Sequence, residues 1–200
     1  MSFMESKTKE NLMRAFAGES QARNRYTFAA SQAKKENHDA IAEIFLFTAG
    51  QEKEHAERFY SYLCEASGTK IEIDGSYPVD IYENTVALLR AAERNETEEY
   101  EDVYKCFGDI AKEEGFNAIA TLFYNIAEIE NTHAKRFAMM AELLENNQLY
   151  RSDNSAQWMC LNCGYIYEGT EVPLKCPVCL HAQGYFIPAD LAPYQKTANA

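Results

Sequence analysis

A chain of 200 residues allows one good core with a small appendage, or two compact domains. Its net charge of −12, from 31 acidic and 19 basic residues, argues against nucleic acid or an anionic membrane as a partner. The opening residues MSFMESKTKENL lack the apolar stretch of a secretion signal, and no apolar run approaches about 18 residues, so a cytoplasmic protein without a membrane span is expected.

Residues 5–145 hold four amphipathic stretches, one proline (Pro78) and almost no strand signal. Their periodicity predicts helices over 5–34, 37–65, 81–111 and 114–145. Tight turns at Asn37 and Gly115 make two helix pairs, and the turn-rich crossover 67–80 joins them, which is the ferritin-like version of a four-helix bundle. The pairs also repeat each other. Sliding residues 34–59 forward by 78 sets them on 112–137 with 12 of 26 positions identical, Glu52 on Glu130 and His55 on His133 among them. Two similar halves related by a pseudo-two-fold axis would give a metal pair on that axis the same ligands from each side.

A lone Glu-x-x-His is a weak signal, since charged helix segments are usually solvated faces. Here the polar residues interrupt apolar stripes. The fourth helix runs Ile119, Leu122, Ile126, Glu130, His133, Phe137, Met140, and the second runs Ile41, Phe45, Thr48, Glu52, His55, Phe59, Leu63. Glu19 interrupts the first stripe, and Glu96 and Glu99 the third. Glu93 shares their three-residue spacing, but Ala92 continues the stripe better, so Glu96 and Glu99 are chosen. Buried carboxylates require a cation, and the only basic residue close to the stripes is Arg23. Five glutamates, about −5, roughly balance two ferrous or two ferric ions, whereas zinc would have too much carboxylate and calcium no use for imidazole. Tyr26 and Tyr104 are 78 apart but Glu19 and Glu96 are 77 apart, which predicts one extra residue, as a π-bulge, in the third helix.

Beyond Glu145 the composition turns polar and then aromatic, with Gly and Pro punctuation. Residues 1–147 are read as the helical domain, 148–157 as a linker and 158–200 as a small metal-stapled β domain ending in a frayed tail. Cys160-x-x-Cys163 and Cys176-x-x-Cys179 present four sulfurs to one ion. A structural zinc ribbon is the plain alternative; Cys-Gly-Tyr-x-Tyr, Cys-Pro-x-Cys and the surrounding aromatics favour iron. Cys64 and Cys106 are expected to be buried small apolar residues, and His38 and His181 ordinary surface histidines.

AGESQARNRY at 17–26, EKEHAERF at 52–59, IAKEEGF at 110–116, HAKRF at 133–137 and CLNCGYIYEG…CPVC together resemble the rubrerythrin family over residues 3–190. The resemblance implies a ferritin-like di-iron domain, with two iron ions cycling between Fe(II) and Fe(III), followed by a rubredoxin-like domain holding one iron, with zinc as a misloading product. It further implies that Glu52 and Glu130 bridge the irons, that Glu19 and Glu96 are terminal ligands, and that His133 holds one iron while the other moves between His55 and Glu99. Tyr26 and Tyr104 would hydrogen-bond the ligands. The implied activity is reduction of hydrogen peroxide to water in oxidative-stress defence. Electrons would come from a rubredoxin or an NAD(P)H-dependent reductase through the four-cysteine iron, in a homodimer whose subunits exchange electrons head to tail. An iron-storing ferroxidase and a structural zinc-ribbon adaptor are the rival readings.

Overall fold

The computed structural model describes residues 2–193. Helix α1 (Lys7–Lys35) begins where the Ser6 hydroxyl accepts from the Lys9 N–H at 3.1 Å, and it ends at Asn37, whose left-handed φ of 60° lets His38 N–H close on the Ala33 carbonyl. Helix α2 (Asp39–Ser61) returns beside it. It stops short of residue 65 because Tyr62 and Leu63 bond carbonyls three residues back, tightening the chain out of the α-helix. After the crossover, α3 (Thr85–Glu98) starts on Asn84, whose side chain accepts from Ala87 N–H. It passes through a π-helical turn, Glu99–Val103, into α4 (Tyr104–Glu113). Gly115, at φ 89°, turns the chain into α5 (Asn117–Glu145). The expected bundle is present, and the π turn absorbs the one-residue excess predicted from the tyrosine spacing.

The two halves pack as the repeat requires. At one end Tyr26 lies 5.0 Å from Phe137 and Phe45 lies 5.3 Å from Phe137, centroid to centroid. At the other, the counterpart rings Tyr104 and Phe59 are 5.5 Å apart, and Phe59 and Phe123 are 5.0 Å apart. Each cluster takes rings from both halves, so the pseudo-axis passes between them. The layer between two apolar clusters is where the buried acids sit.

The helix ends obey the same symmetry. Glu114, in the α4–α5 turn, accepts from Lys7 N–H, Thr8 N–H and the Thr8 hydroxyl at 3.0, 2.9 and 2.6 Å, capping α1. Glu36, 78 residues earlier, accepts from Thr85 N–H at 3.1 Å and caps α3. Partial burial would raise the Glu114 carboxyl, but the hydrogen bonds from Thr8 outweigh it and hold the group below its ordinary value. A carboxyl depressed by folding stabilises above its unfolded pKa and loses that contribution as pH falls. Glu114→Ala is therefore expected to cost about 1–2 kcal/mol at neutral pH. The gap in melting temperature from the parent should narrow below about pH 4.3, as calorimetry would show.

The expected linker is not a free tether. Strand β1 (Arg151–Cys160) begins inside it and pairs antiparallel with β2 (Ile166–Glu171) and β3 (Phe186–Pro188), in the order β2-β1-β3. The stretch 151–157 looks like linker because its side chains stay largely exposed while the backbone pairs, as at Ala156 with Gly169 and Gln157 with Glu168. The module is seated on the bundle. Leu149 is buried against the helices and accepts from the Trp158 ring N–H at 3.0 Å. Gly184 lies so close to the Asn37 carbonyl that a Cβ would sit 1.9 Å from its oxygen. His38, expected on the surface, is half-buried and stacks on Tyr150 with 3.1 Å between Nδ1 and the phenol oxygen. Of the expected tail, Ala192 packs onto the bundle and residues 194–200 lie outside the described residues.

Candidate metal centres

All four bundle columns deliver acids to the middle layer. Glu19 comes from α1, Glu52 and His55 from α2, Glu96 from α3, and Glu130 and His133 from α5. They form two groups, each with ligand atoms within 4.8 Å of one another: Glu19, Glu52, His55 and Glu130; and Glu52, Glu96, Glu130 and His133. Glu52 and Glu130 belong to both, so the geometry is that of two adjacent positions sharing two carboxylates. His133 Nδ1 lies 2.8 Å from Glu130, 3.0 Å from Glu52 and 3.4 Å from Glu96. His55 Nδ1 lies 3.1 Å from both Glu52 and Glu130 and 3.8 Å from Glu19. The imidazoles are nearly parallel, at 15°.

The donor set fits a pair of hard cations. Both oxygens of Glu52 and of Glu130, one each of Glu19 and Glu96, and Nδ1 of both histidines are buried without a hydrogen-bond partner. Short contacts that are not aligned as hydrogen bonds are what converging ligand atoms produce. Without metal the layer would have to take up protons. Burial, then the charges of Glu130 and Glu52, push the Glu19 carboxyl well above its usual range, and burial followed by Glu52 and Glu130 does the same to Glu96. Burial opposes charge on Glu52 as well, yet the two histidines hold it down at about 2, while His55 rises to about 9 and His133 to about 12 against the desolvation of their rings. The outer contacts are reciprocal: Tyr104 OH donates to Glu19 at 2.6 Å, and Tyr26 OH donates to Glu96.

Glu99 is outside both groups. It sits half-buried on the π turn and lines a cavity of about 370 Å³ with Gly18, Tyr77, Asp102 and Tyr104. Glu93 is turned away and pairs with Arg90 at 2.7 Å. Arg23 is exposed; the basic groups that do approach the layer are Arg25 and Arg136. Arg136 donates to Gln51, which faces His133, and neither residue was among the sequence candidates. Cys64 and Cys106, expected to be buried, are both exposed; at Cys106, α4 turns the neighbouring Phe107 toward the core instead.

In the β module Cys160 and Cys176 are buried, and the Cys160–Cys179 and Cys163–Cys176 sulfurs are each 3.7 Å apart. That is far beyond a disulfide and matches the edge, about 3.8 Å, of a tetrahedron with metal–sulfur bonds of about 2.3 Å. Each knuckle needs a left-handed residue after its second cysteine. Gly164 supplies one at φ 77°, and Leu180 the other at φ 64°, at a cost of about 1–2 kcal/mol for a non-glycine residue. The backbone N–H of His181 lowers the Cys179 thiol to about 6, whereas burial raises Cys160 to about 12. His181 is not free on the surface: its ring meets Tyr185 edge-on at 4.7 Å.

Comparison with known proteins agrees with both centres. The rubrerythrin family profile matches residues 10–141, and the profile described as "Rubrerythrin, rubredoxin-like domain" matches residues 158–187. The chain belongs to the rubrerythrin family. It is 47% identical to a rubrerythrin of Clostridium perfringens over 90% of this chain and 93% of that one. To a rubrerythrin of Porphyromonas gingivalis it is 46% identical over 92% and 90%. Among solved structures, fully reduced, all-ferrous nigerythrin superposes with a TM-score of 0.62 at 28% identity, covering 93% of this chain and 91% of that one. The chain thus combines the rubrerythrin type of carboxylate–histidine di-iron site with a four-cysteine rubredoxin-like site, a pairing that implies redox partners. Among the described residues no helix is long and apolar enough to cross a membrane.

Proposed function

We propose that this rubrerythrin is a cytoplasmic peroxidase for oxidative-stress defence, reducing hydrogen peroxide with two electrons and two protons to two waters. The observation that carries the reading is a dry, two-position carboxylate–histidine layer in the same chain as a four-thiolate cage suited to one-electron transfer. With metal bound, Glu52 and Glu130 would be shared by the two positions, Glu19 and Glu96 would each serve one, His133 would hold one position, and His55 and Glu99 would be alternative ligands of the other. When bound, two irons supply one electron each and polarise the peroxide oxygens. The side chains do the rest. Tyr26 and Tyr104 hold the terminal carboxylates and keep hydroxyl protons beside them. The aromatic clusters above and below exclude bulk water, and the cavity by Glu99 and Tyr77 admits a molecule as small as peroxide. Nigerythrin, a relative, has been solved in mixed-valence and all-ferrous states.

Electrons are delivered between subunits of a head-to-tail homodimer. The cage is seated at the α1–α2 turn, and Glu52 lies about 20 Å further along α2 at 1.5 Å per residue. That span favours a partner's cage as donor over the chain's own. The donor to the cage is a rubredoxin or an NAD(P)H-dependent reductase, which would meet the apolar rim of Leu174, Val178 and Leu180. Mixing a variant inactive at the bundle site with one lacking the four cysteines should restore NAD(P)H-driven peroxide turnover. No recovery would count against transfer between subunits. The reduced protein should also be oxidised faster by peroxide than by O2; the opposite order would favour a ferroxidase, and a colourless, zinc-filled cage the adaptor reading.

A further inference from the structure

The 78-residue repeat exchanges α2 and α5, and with them the surroundings of His133 and His55. Those surroundings differ. Beside His133, Gln51 Oε1 lies 3.1 Å from the ring Nε2, and Arg136 Nη1 donates to that oxygen and to the buried Thr48 hydroxyl, each at 2.9 Å. Thr48 in turn donates to the Ile44 carbonyl at 3.1 Å. An amide oxygen only accepts, so Nε2 carries a ring hydrogen, and Nδ1, which faces Glu52, Glu96 and Glu130, is the atom left to hold a metal. The repeat sets Ile126 in the place of Thr48 and Ile129 in the place of Gln51. Arg58, the counterpart of Arg136, turns outward, donating to Ser61 and Tyr62 at 3.3 Å each and lying over the Tyr62 ring. Among the described residues nothing makes a hydrogen bond to Nε2 of His55.

We infer that Gln51 and Arg136 are positioning residues that make the two metal positions unequal, locking the His133 ring in place and leaving the His55 ring free to swing. The iron beside His133 is then the retained one and the iron beside His55 the labile one. This rests on the di-iron reading. A pseudo-symmetric site acquires two behaviours because one half keeps a polar brace where the other has two isoleucines. Outer partners of a ligating histidine commonly set metal affinity within about 10–100-fold, which is enough to separate the two positions.

The test uses the full-length protein loaded anaerobically with ferrous ion and then mixed with excess ferrous chelator, with cage iron followed separately by its visible absorption after reoxidation. The parent should release its two bundle irons in a fast and a slow phase. Gln51→Ile, which copies the other half, should speed the slow phase about 10–100-fold so that the phases merge. Gln51→Glu, which still accepts from Nε2 and from Arg136, should keep both phases. Should Gln51→Ile fail to fold by circular dichroism, Arg136→Met withdraws the donor to Gln51 and should also speed the slow phase alone. A slow phase unchanged in whichever of these variants folds, or a single phase in the parent, overturns the inference. A parent that binds fewer than two irons in the bundle overturns the di-iron reading with it.

Discussion

Glu130→Gln is expected to strip the bundle of both irons and abolish peroxide turnover, while the cysteine cage keeps its metal. Glu130 contributes to both ligand groups, is fully buried, and has two oxygens with no hydrogen-bond partner. An amide in its place leaves one weaker acceptor and turns an N–H₂ toward the ions. Losing one member of a buried charged set costs about 3–5 kcal/mol, or roughly two to four orders of magnitude in affinity, and both positions suffer because the group is shared. Iron analysis should fall from three per chain to one. Glu99→Gln is the matched comparison. Glu99 lies outside both groups on the rim of the cavity, so two bundle irons should remain and affinity should fall by about tenfold at most. If Glu130→Gln retained two irons, the shared-carboxylate geometry would not be the binding mode.

Cys176→Ala should unfold the β module without melting the helices. The module's own apolar core is small, centred on Trp158, Val172 and Phe186 around the two buried cysteines. A four-thiolate metal contributes about 10–16 kcal/mol of apparent binding energy to such folds, more than a core of this size can replace. The chain's single tryptophan, Trp158, lies in this core and is 1% exposed, so its emission reports the module alone. In the variant, or after the metal is chelated, emission should shift to the red while helical circular dichroism is nearly unchanged. A blue, protected Trp158 in the metal-free protein would mean that packing on Leu149 and the α1–α2 turn holds the module unaided.

The sequence reading reached furthest where burial and periodicity conflict. Glu52, His55, Glu130 and His133 stand out because each breaks an apolar stripe and each pair recurs at a fixed shift, and the structure brings all four into one layer. The π turn was legible for a similar reason, since two tyrosines and two glutamates cannot keep step unless one residue is looped out. Gln51 is not legible from the identities of the repeat; its signal is in the mismatches, Thr48 against Ile126 and Gln51 against Ile129. Polar, largely exposed side chains along 151–157 hid a strand that pairs antiparallel with β2 through its backbone, helped by exposed contacts such as Gln157 to Glu168. The exposure of Cys106 and the approach of Arg25 depend on how α4 and the crossover lie against α1, which no single helix encodes.

The exchanged caps, Glu36 on Thr85 and Glu114 on Thr8, have a consequence for ancestry. Either helical hairpin by itself would leave one helix start bare and offer only half a binding layer. A peptide of that length could satisfy both needs only by clasping a twin, so a duplicated and fused gene would inherit a finished handshake. Two copies joined in this way would be free to diverge at single positions, because neither would have to fit itself any longer.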